Sequence, residues 1–344
     1  MNIKKQVAII GGGIAGLEAA SVLIKQGLSV TIFEKQNREG GMLNHWSKLF
    51  PDFASSNQIL DQYKVKRNNL NVFYNTQISS IKPKDNKFEI SDNCNLKFYA
   101  DSVLLSTGYK VFDATLKEEY GYGLFYNVIT SVDFERIHKS GELLKTASGK
   151  QPKRVAIIHC VGSRDAKVGN TYCSKVCCIT GVKQAIEINK MLPDCEVFNF
   201  YMDLRLYGSK YDALYLEAQK RHKIQFIRGR LSEVSEKEDM SLQIKAEDTL
   251  QGRPLRMNVD MVILLVGMEA DELNPDLCKQ TNLQLDENRF FKSKNMQTSR
   301  CGSTQIGVFL SGCCICPMTV NETLDNARSA AFEVVNYLNS DAHE

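Results

Sequence analysis

A short apolar strand followed at once by a glycine-rich turn limits the folds open to this chain. Val7–Ile10 is typical of a buried parallel strand, and Gly11–Gly16 reads GGGIAG, which matches G-x-G-x-x-G. A helix to about Gln26 and a strand from Leu28 to Phe33 complete the unit. These glycines permit a tight turn, close approach of the backbone to a pyrophosphate, and close helix–strand packing. The pattern predicts a doubly wound α/β domain that binds a dinucleotide.

An acidic residue and a second glycine pair indicate which dinucleotide binds. Glu34 closes the second strand eighteen residues after Gly16, where its carboxylate can accept a hydrogen bond from a ribose hydroxyl. The position of this unit at the start of the sequence favours FAD over NAD. Gly40-Gly41 favours it too, because flavoproteins with two dinucleotide domains commonly carry such a pair there; a plain turn is the alternative.

The same architecture recurs further along the chain. Strand, loop, helix and strand patterns return between residues 150 and 270, and Val262–Gly267 parallels Val103–Gly108. Short alternating strands between 72 and 99 predict a small antiparallel meander. We predict an α/β fold of two doubly wound, Rossmann-like domains, the second inserted in the first. The predicted domains are an FAD-binding domain (1–112 and 290–344), a connector (113–149), and a lobe resembling an NAD domain (150–289).

The last predicted strand returns the chain to the first domain. Ile306–Gly312 ends where the usual flavin fold carries Gly-Asp, and Cys313 stands in place of the Asp. Pro317 suits the first position of the helix that follows. The N–H groups of residues 318–320 would then face the flavin. The residues predicted to contact FAD are Gly11, Gly13, Ile14, Ala15, Gly16, Glu34, Lys35, Gly41, Met42, Thr107, Gly108, Gly312, Cys313, Met318, Thr319 and Val320.

Four cysteines occupy the turn where the second domain would hold a pyrophosphate. Cys160, Cys173, Cys177 and Cys178 are spaced C-x12-C-x3-C-C and follow an apolar strand. With a helix starting near Ser174, Cys173 and Cys177 lie one turn apart. Four converging thiolates match a [4Fe–4S] cluster, to which Ser163, Arg164 and backbone N–H groups can donate hydrogen bonds.

Other interpretations of these cysteines remain open at this point. They can be small buried hydrophobes, a redox disulfide such as Cys177–Cys178, or a zinc site. Cys313, Cys314 and Cys316 form a second group, for which packing beside the flavin and a redox role are both open. The spacing of the four cysteines differs from the two separated C-x2-C pairs usual for zinc.

Four motifs together resemble one known family. Cys-Val-Gly-Ser-Arg-Asp at 160–165, Tyr-Cys-Ser-Lys-Val-Cys-Cys at 172–178, Gly-Cys-Cys-x-x-Pro at 312–317 and Tyr-Gly-Tyr-Gly at 120–123 are similar to motifs of the flavoprotein A subunit of heterodisulfide reductase. The resemblance implies a thioredoxin-reductase-like fold, with FAD in the first domain. It also implies that Cys160, Cys173, Cys177 and Cys178 bind a [4Fe–4S] cluster.

The resemblance also carries expectations about function. The methanogen subunits are much longer and carry additional CxxCxxC runs that are not present here. The chain therefore looks more like the short A subunit of the heterodisulfide-reductase-like complex of sulfur oxidisers. It is next most similar to a subunit of the quinone-interacting oxidoreductase of sulfate reducers. We expect an electron-transferring oxidoreductase subunit in sulfur or disulfide metabolism, with other subunits of such a complex as partners and a homodimer as its core.

Two further hypotheses come from other classes of protein. One is a stand-alone NAD(P)H-dependent disulfide reductase of the thioredoxin reductase type, with Cys177–Cys178 or Cys313–Cys316 as the redox pair. The other is a scaffold that keeps FAD only for stability. Net charge of +3 argues against nucleic acid, no apolar run suits a membrane span, and an odd count of 11 cysteines does not suggest a secreted disulfide scaffold. We expect a soluble, cytoplasmic protein.

Overall fold

The chain forms two compact units, seen in a computed structural model that describes residues 4–63 and 70–340. The first unit contains 1–44, 57–110 and 269–344, and the second contains 45–56 and 111–268. The first unit therefore resumes at Glu269, earlier than the predicted 290. The predicted connector is part of the second unit, and so is the segment 45–56.

Seven α-helices lie in the described part of the chain. They are α1 (Ile14–Lys25), α2 (Ser56–Asp61), α3 (Ser131–Ser140), α4 (Cys177–Met191), α5 (Ser209–Lys220), α6 (Asn274–Cys278) and α7 (Val320–Asn339).

The strands are numbered in chain order. The first ten are β1 (Gln6–Ile10), β2 (Ser29–Phe33), β3 (Lys48–Leu49), β4 (Ala54–Ser55), β5 (Leu70–Phe73), β6 (Ile78–Lys84), β7 (Lys87–Asp92), β8 (Lys97–Ala100), β9 (Ser102–Leu105) and β10 (Tyr109–Val111). The others are β11 (Val128–Thr130), β12 (Arg154–Val161), β13 (Glu196–Tyr201), β14 (Gln225–Arg228), β15 (Leu231–Glu236), β16 (Leu242–Asp248), β17 (Arg253–Val259), β18 (Met261–Val266), β19 (Met268–Ala270), β20 (Ser293–Asn295), β21 (Ser299–Ser303) and β22 (Val308–Leu310).

The first unit is built on a seven-stranded sheet in the order β20-β21-β22-β9-β1-β2-β5. The five strands from β22 to β5 are parallel, and β20 and β21 run antiparallel at one edge. Helices α1 and α7 pack against each other, and their alanines Ala19, Ala20, Ala327, Ala330 and Ala331 are fully buried. The predicted antiparallel meander is formed by β6, β7 and β8. The apolar residues near 72, which were predicted as its first strand, belong to β5 in the parallel sheet.

The second unit repeats the parallel arrangement in the order β11-β18-β12-β13-β14. Strand β12 is central and apolar on both faces, as parallel strands usually are. Val155 and Ile157 pack into one core cluster, while Ala156 and Ile158 pack into another. A three-stranded antiparallel sheet, β15-β16-β17, completes the unit. The prediction of two doubly wound domains is confirmed.

Part of the predicted connector is regular structure. Strand β11 pairs in parallel with β18, and α3 follows it directly. Thr130 and Asp133 start α3 as a capping box: the Thr130 hydroxyl accepts from the Asp133 N–H, and the Asp133 carboxylate accepts from the Thr130 N–H. This local signal was present in the sequence, but the polar composition of the segment concealed it.

A buried charged group fixes α3 to α4, the helix that carries two of the clustered cysteines. Lys183 of α4 donates to Glu135 of α3, and also to the carbonyl oxygen of Lys48 at 2.8 Å. The side chains of Lys183 and Glu135 are at most 3% exposed. Gln184 donates to the same Glu135 oxygen at 2.8 Å. Lys183 and Glu135 therefore each have a partner of opposite charge, which is the condition for tolerating a charge in a core.

None of the helices within residues 4–63 and 70–340 combines the length and the apolar composition that crossing a bilayer requires.

Replacing Lys183 by Met leaves the Glu135 carboxylate buried without its cation. We expect the free energy of unfolding to fall by about 3–5 kcal/mol, as for other buried pairs that lose one partner. Urea unfolding, monitored by circular dichroism, measures this free energy of unfolding. The control is Lys220→Met at the exposed end of α5, for which we expect a change within about 0.5 kcal/mol. Equal effects in both variants would contradict this role for Lys183.

Candidate functional site

The glycine-rich turn of the first unit leaves no room for side chains at two positions. Gly11 has φ +106°, and a Cβ there would lie 2.3 Å from the carbonyl oxygen of Ser106. A Cβ at Gly16 would lie 2.1 Å from the carbonyl oxygen of Gly11. Both distances are well inside van der Waals contact. The chain thus needs glycine at these two positions to bring β1, β9 and α1 together.

Gly13 is different, because the protein does not fill the space beside it. A Cβ at Gly13 would meet no atom nearer than the Cα of Gly41, 4.0 Å away. Gly40 and Gly41 lie directly against this turn, since the Gly40 N–H donates to the Gly12 carbonyl oxygen at 2.8 Å. Gly13 is also the N-cap of α1 and gives no side-chain cap. The first N–H groups of α1, at Ile14 and Ala15, are therefore open to an anion such as a pyrophosphate.

Glu34 lies at the end of β2, as predicted. It is 5% exposed, and its carboxylate accepts from the N–H groups of Gly12 at 2.7 Å and Gln36 at 2.8 Å. These bonds hold the carboxylate beside the glycine turn, with lone pairs left for a ribose hydroxyl. The neighbouring Lys35 forms an ion pair with Asp271 at 2.7 Å.

Two buried hydroxyls mark the same edge of the sheet. Ser106 follows β9 and Ser311 follows β22, and each hydroxyl is buried without a hydrogen-bond partner among the described residues. Adjacent parallel strands end at one edge, where ligands of doubly wound sheets bind. A ligand with polar groups would satisfy hydroxyls that are otherwise costly to bury.

The remaining predicted contacts follow the ends of these strands. Thr107 donates to Asn274 at 3.1 Å, and Gly108 has φ +76° with open space where a Cβ would be. Met42 lies in a short 3-10 turn after the glycine pair. Gly312 has φ +72° and packs on Ala15 of α1. Cys313 is buried, and its Sγ donates to the carbonyl oxygen of Met318 at 3.7 Å.

The start of α7 differs from the prediction. Thr319 is its N-cap and Val320 its first residue, so Pro317 lies outside the helix. Thr319 and Glu322 form a capping box in which the Thr319 N–H donates to the Glu322 carboxylate at 2.9 Å. That N–H is therefore already used within the protein. The prediction from Pro317 was wrong because the capping box, a stronger start signal, stands two residues further on.

The four motif cysteines of the second unit lie around the carboxyl end of β12. Cys160 belongs to β12, and Cys177 and Cys178 are the first two residues of α4. The helix was predicted to begin near Ser174; it begins at Cys177, so Cys173 lies in the irregular segment before it. The N–H of Lys175 donates to the Cys173 Sγ at 3.3 Å, and the N–H of Arg205 to the Cys178 Sγ at 3.4 Å.

The electrostatics of the thiols show that they are mutual neighbours. A hydrogen bond from Cys177 lowers the pKa of Cys160 to about 7, with help from Arg164. The same bond, burial, and the charges of Cys160, Cys178 and Cys173 raise the pKa of Cys177. The two pKa shifts have opposite directions because one thiol of this pair donates a hydrogen bond to the other. Burial raises the pKa of Cys178 to about 11. Such a group stays protonated without a cation to balance it, and a bound metal centre would supply that charge.

The backbone of this turn adopts uncommon conformations. Cys160 has φ +59°, Arg164 has φ +54° and Lys175 has φ +64°. Residues other than glycine rarely adopt a positive φ, and those that do concentrate at functional sites. Helix α4 keeps a close approach to β12 through Gly181, whose added Cβ would lie 2.5 Å from His159 Nε2. Thiols thus replace the turn glycines, while a helix glycine keeps the close packing.

All eleven cysteines are free thiols. Within residues 4–63 and 70–340, no three or more His, Cys, Asp or Glu side chains converge closely enough to hold a single metal ion.

Two anchors of this turn were not predicted from the sequence. Asp165 is 3% exposed and accepts from Lys117 and from Arg230, each at 2.7 Å. Asp203 follows β13 and pairs with Arg164 at 2.8 Å. A signal for Asp203 existed, because it follows a strand that ends at the same edge as β12. For Lys117 and Arg230 the sequence offers none, since 48 and 65 residues separate them from Asp165.

The chain belongs to the pyridine nucleotide-disulphide oxidoreductase family, a family of oxidoreductases, whose model matches residues 5–331. The fold agrees with solved thioredoxin reductases. That of T. acidophilum has a TM-score of 0.69 at 18% identity, covering 98% of this chain and 100% of that one. That of Lactococcus lactis has a TM-score of 0.68 at 15% identity, covering 97% and 99%. At such identities the likeness concerns the fold.

Among curated proteins, the chain is similar to A subunits of heterodisulfide reductase. It is 29% identical to the iron-sulfur A subunit of the CoB--CoM heterodisulfide reductase of Methanocaldococcus jannaschii, over 97% of this chain and 64% of that protein. It is 38% identical to the A subunit of the H(2):CoB-CoM heterodisulfide,ferredoxin reductase of Methanothermobacter marburgensis, over 67% of this chain and 36% of that protein. The matched regions thus span less than two thirds of these relatives. The resemblance indicated by the cysteine motifs is confirmed.

Substitutions at two glycines separate ligand binding from folding. The side chain of Gly13→Val would lie in the open space that we assign to the ligand. We therefore expect a stable protein whose affinity for its dinucleotide falls at least tenfold, which is a loss of about 1.4 kcal/mol of binding free energy. Gly16→Ala forces an atom against the Gly11 carbonyl and should lower stability itself, by about 1–3 kcal/mol. Flavin absorbance of the purified chain and urea unfolding measure the two effects. Wild-type flavin content in Gly13→Val would overturn this interpretation.

Proposed function

We propose that the chain is an FAD- and [4Fe–4S]-containing electron-transfer subunit of a heterodisulfide-reductase-like complex acting in sulfur or disulfide redox metabolism. The observation that carries the proposal is the group of four neighbouring thiols at the carboxyl end of β12. In a doubly wound domain that position is used for a dinucleotide.

FAD fits the first unit. The open space at Gly13, the uncapped start of α1 and the Glu34 carboxylate are what a pyrophosphate and an adenosine ribose require. The hydroxyls of Ser106 and Ser311 are buried without partners, among the described residues, at the same edge. The family and the fold support the same cofactor.

A [4Fe–4S] cluster fits the second unit. Cys160, Cys173, Cys177 and Cys178 supply four soft thiolate donors from a strand, a loop and a helix start. The N–H groups of Lys175 and Arg205 already donate to two of these sulfurs. Such bonds compensate thiolate charge and raise the potential of a bound cluster. The iron-sulfur wording in the name of the Methanocaldococcus jannaschii relative supports the same assignment.

The two groups would give the chain an electron-transfer role. When bound, a flavin exchanges one or two electrons and a cluster exchanges one. The protein holds each group on the edge of a rigid sheet. None of the predicted site residues is a convincing base or substrate nucleophile, so the bond-breaking chemistry belongs on partner subunits. The subunit names of the relatives support such partners.

We propose a homodimeric core, a cytoplasmic location and a complex of the type found in sulfur oxidisers.

The competing function is a stand-alone NAD(P)H-dependent disulfide reductase. The thioredoxin reductase fold favours it. Against it, the segment between β12 and α4 carries its two glycines at Gly162 and Gly169, which does not match a G-x-G-x-x-G pattern. The aromatic ring of Phe112 occupies the space that a side chain at Gly162 would need.

Iron analysis of anaerobically purified protein tests the proposal. We expect about four irons and as many acid-labile sulfides per chain, since four thiolates bind this type of cluster. NADH should leave the flavin absorbance unchanged. Little iron together with bleaching by NADH would support the reductase instead.

A pair of cysteine variants assigns the ligands. Cys173→Ala should lose at least half of the iron while flavin content stays at the wild-type level, because FAD is assigned to the other unit. Cys195→Ala is the matched control: Cys195 is buried in the same unit at the amino end of β13, opposite to the strand ends that carry the thiols, and iron should be retained. Equal iron in both variants would remove Cys173 from the ligand set.

A further inference from the structure

The backbone holds Arg164 firmly in the turn that carries the cysteines. Its N–H donates to the carbonyl oxygen of Tyr172 at 2.9 Å, and the next N–H, of Asp165, donates to Asn170 at 2.8 Å. Its φ of +54° is one that an arginine rarely adopts. Tyr172, which directly precedes Cys173, is therefore hydrogen-bonded to Arg164, which lies four residues after Cys160.

The guanidinium of Arg164 is only partly satisfied. Its Nη2 donates to Asp203 Oδ2 at 2.8 Å. Its Nη1 is buried and has no acceptor in the part of the chain that the structure describes. Burying such a donor without an acceptor costs about 1–3 kcal/mol, and more for a charged group. An acceptor that the protein itself does not provide is therefore expected at Nη1.

The backbone hydrogen bond to Tyr172 places Arg164 near Cys173, and the charges around its guanidinium agree with that placement. The pKa of Arg164 is raised first by the hydrogen bond to Asp203 and then by the charges of Cys160, Asp203 and Cys173. Two of the proposed cluster ligands are thus close to the guanidinium. Thiolate and inorganic sulfide atoms accept hydrogen bonds from such donors.

Asp203 connects the guanidinium to a second contact with the thiols. Its own carbonyl oxygen is 3.5 Å from Cys178 Sγ, and the N–H two residues later, of Arg205, donates to the same sulfur. The Asp203 carboxylate also forms an ion pair with Arg228, whose Nη2 lies 3.5 Å from Oδ1. The loop after β13 therefore touches the cysteine group through its backbone while its carboxylate fixes Arg164.

We propose that Asp203 is a positioning residue that holds the Arg164 guanidinium against the cluster bound by Cys160 and Cys173, and that this donor raises the reduction potential of the cluster. The inference rests on the proposed function. Reduction adds one negative charge to the cluster, so a fixed cationic donor stabilises the reduced form more than the oxidised form.

A redox titration followed by electron paramagnetic resonance measures the effect. For Arg164→Gln we expect a tenfold smaller equilibrium constant for reduction, which is a potential about 59 mV lower for one electron. Arg228→Gln is the matched control: it removes an equal charge from the same carboxylate, and the potential should stay at the wild-type value.

Asp203→Asn separates positioning from simple charge. Removing a negative charge alone would raise the potential. Release of Arg164 should instead lower it, and the variant Arg164→Gln/Asp203→Asn should be no lower than Arg164→Gln. A rise in Asp203→Asn would overturn the positioning role.

The outcomes distinguish this inference from the proposed function. A wild-type chain without iron and sulfide would defeat the proposed function. A cluster with unchanged potential in Arg164→Gln would defeat only the inference. If Arg164→Gln does not retain iron, Arg164→Lys keeps the charge but loses the planar fork, and a wild-type potential in that variant would overturn the inference.

Discussion

Parallel strands all end at one edge of their sheet, and this constraint places the candidate groups of both units. In the first unit the turn after β1, Glu34 after β2, and the buried hydroxyls after β9 and β22 share that edge. In the second unit the cysteines follow β12 and Asp203 follows β13. A side chain needs no long loop to reach such a site, because the sheet already brings the strand ends together.

The two units use the same backbone geometry for different chemistry. Gly16 brings α1 against the turn of the first unit, and Gly181 brings α4 against β12 in the second. What differs is the turn itself. In the first unit it is glycine-rich and its backbone is open to a ligand, whereas in the second it presents thiols. A fold that places a helix start at a strand end can therefore hold either a phosphate or a thiolate-bound centre.

The thiol group depends on charges supplied from well beyond the motif. Arg164 lies within it, but its partner Asp203 is 39 residues away. Asp165, also in the motif, is fixed by Lys117 and Arg230. Buried charges are tolerated only when paired, so these partners constrain the turn in addition to the apolar core. Both charged residues of the motif, Arg164 and Asp165, therefore have partners outside it.

The sequence alone determined the two doubly wound domains, the glycine turn, Glu34 and the grouping of the four cysteines near one strand end. These features depend on local patterns: apolar runs, glycine spacing and cysteine spacing within one turn. Tertiary structure alone decided that the segment 45–56 and the connector belong to the second unit. It also decided that Lys117 and Arg230 meet the Asp165 carboxylate. These depend on contacts between residues far apart in the chain, for which a local pattern carries no signal.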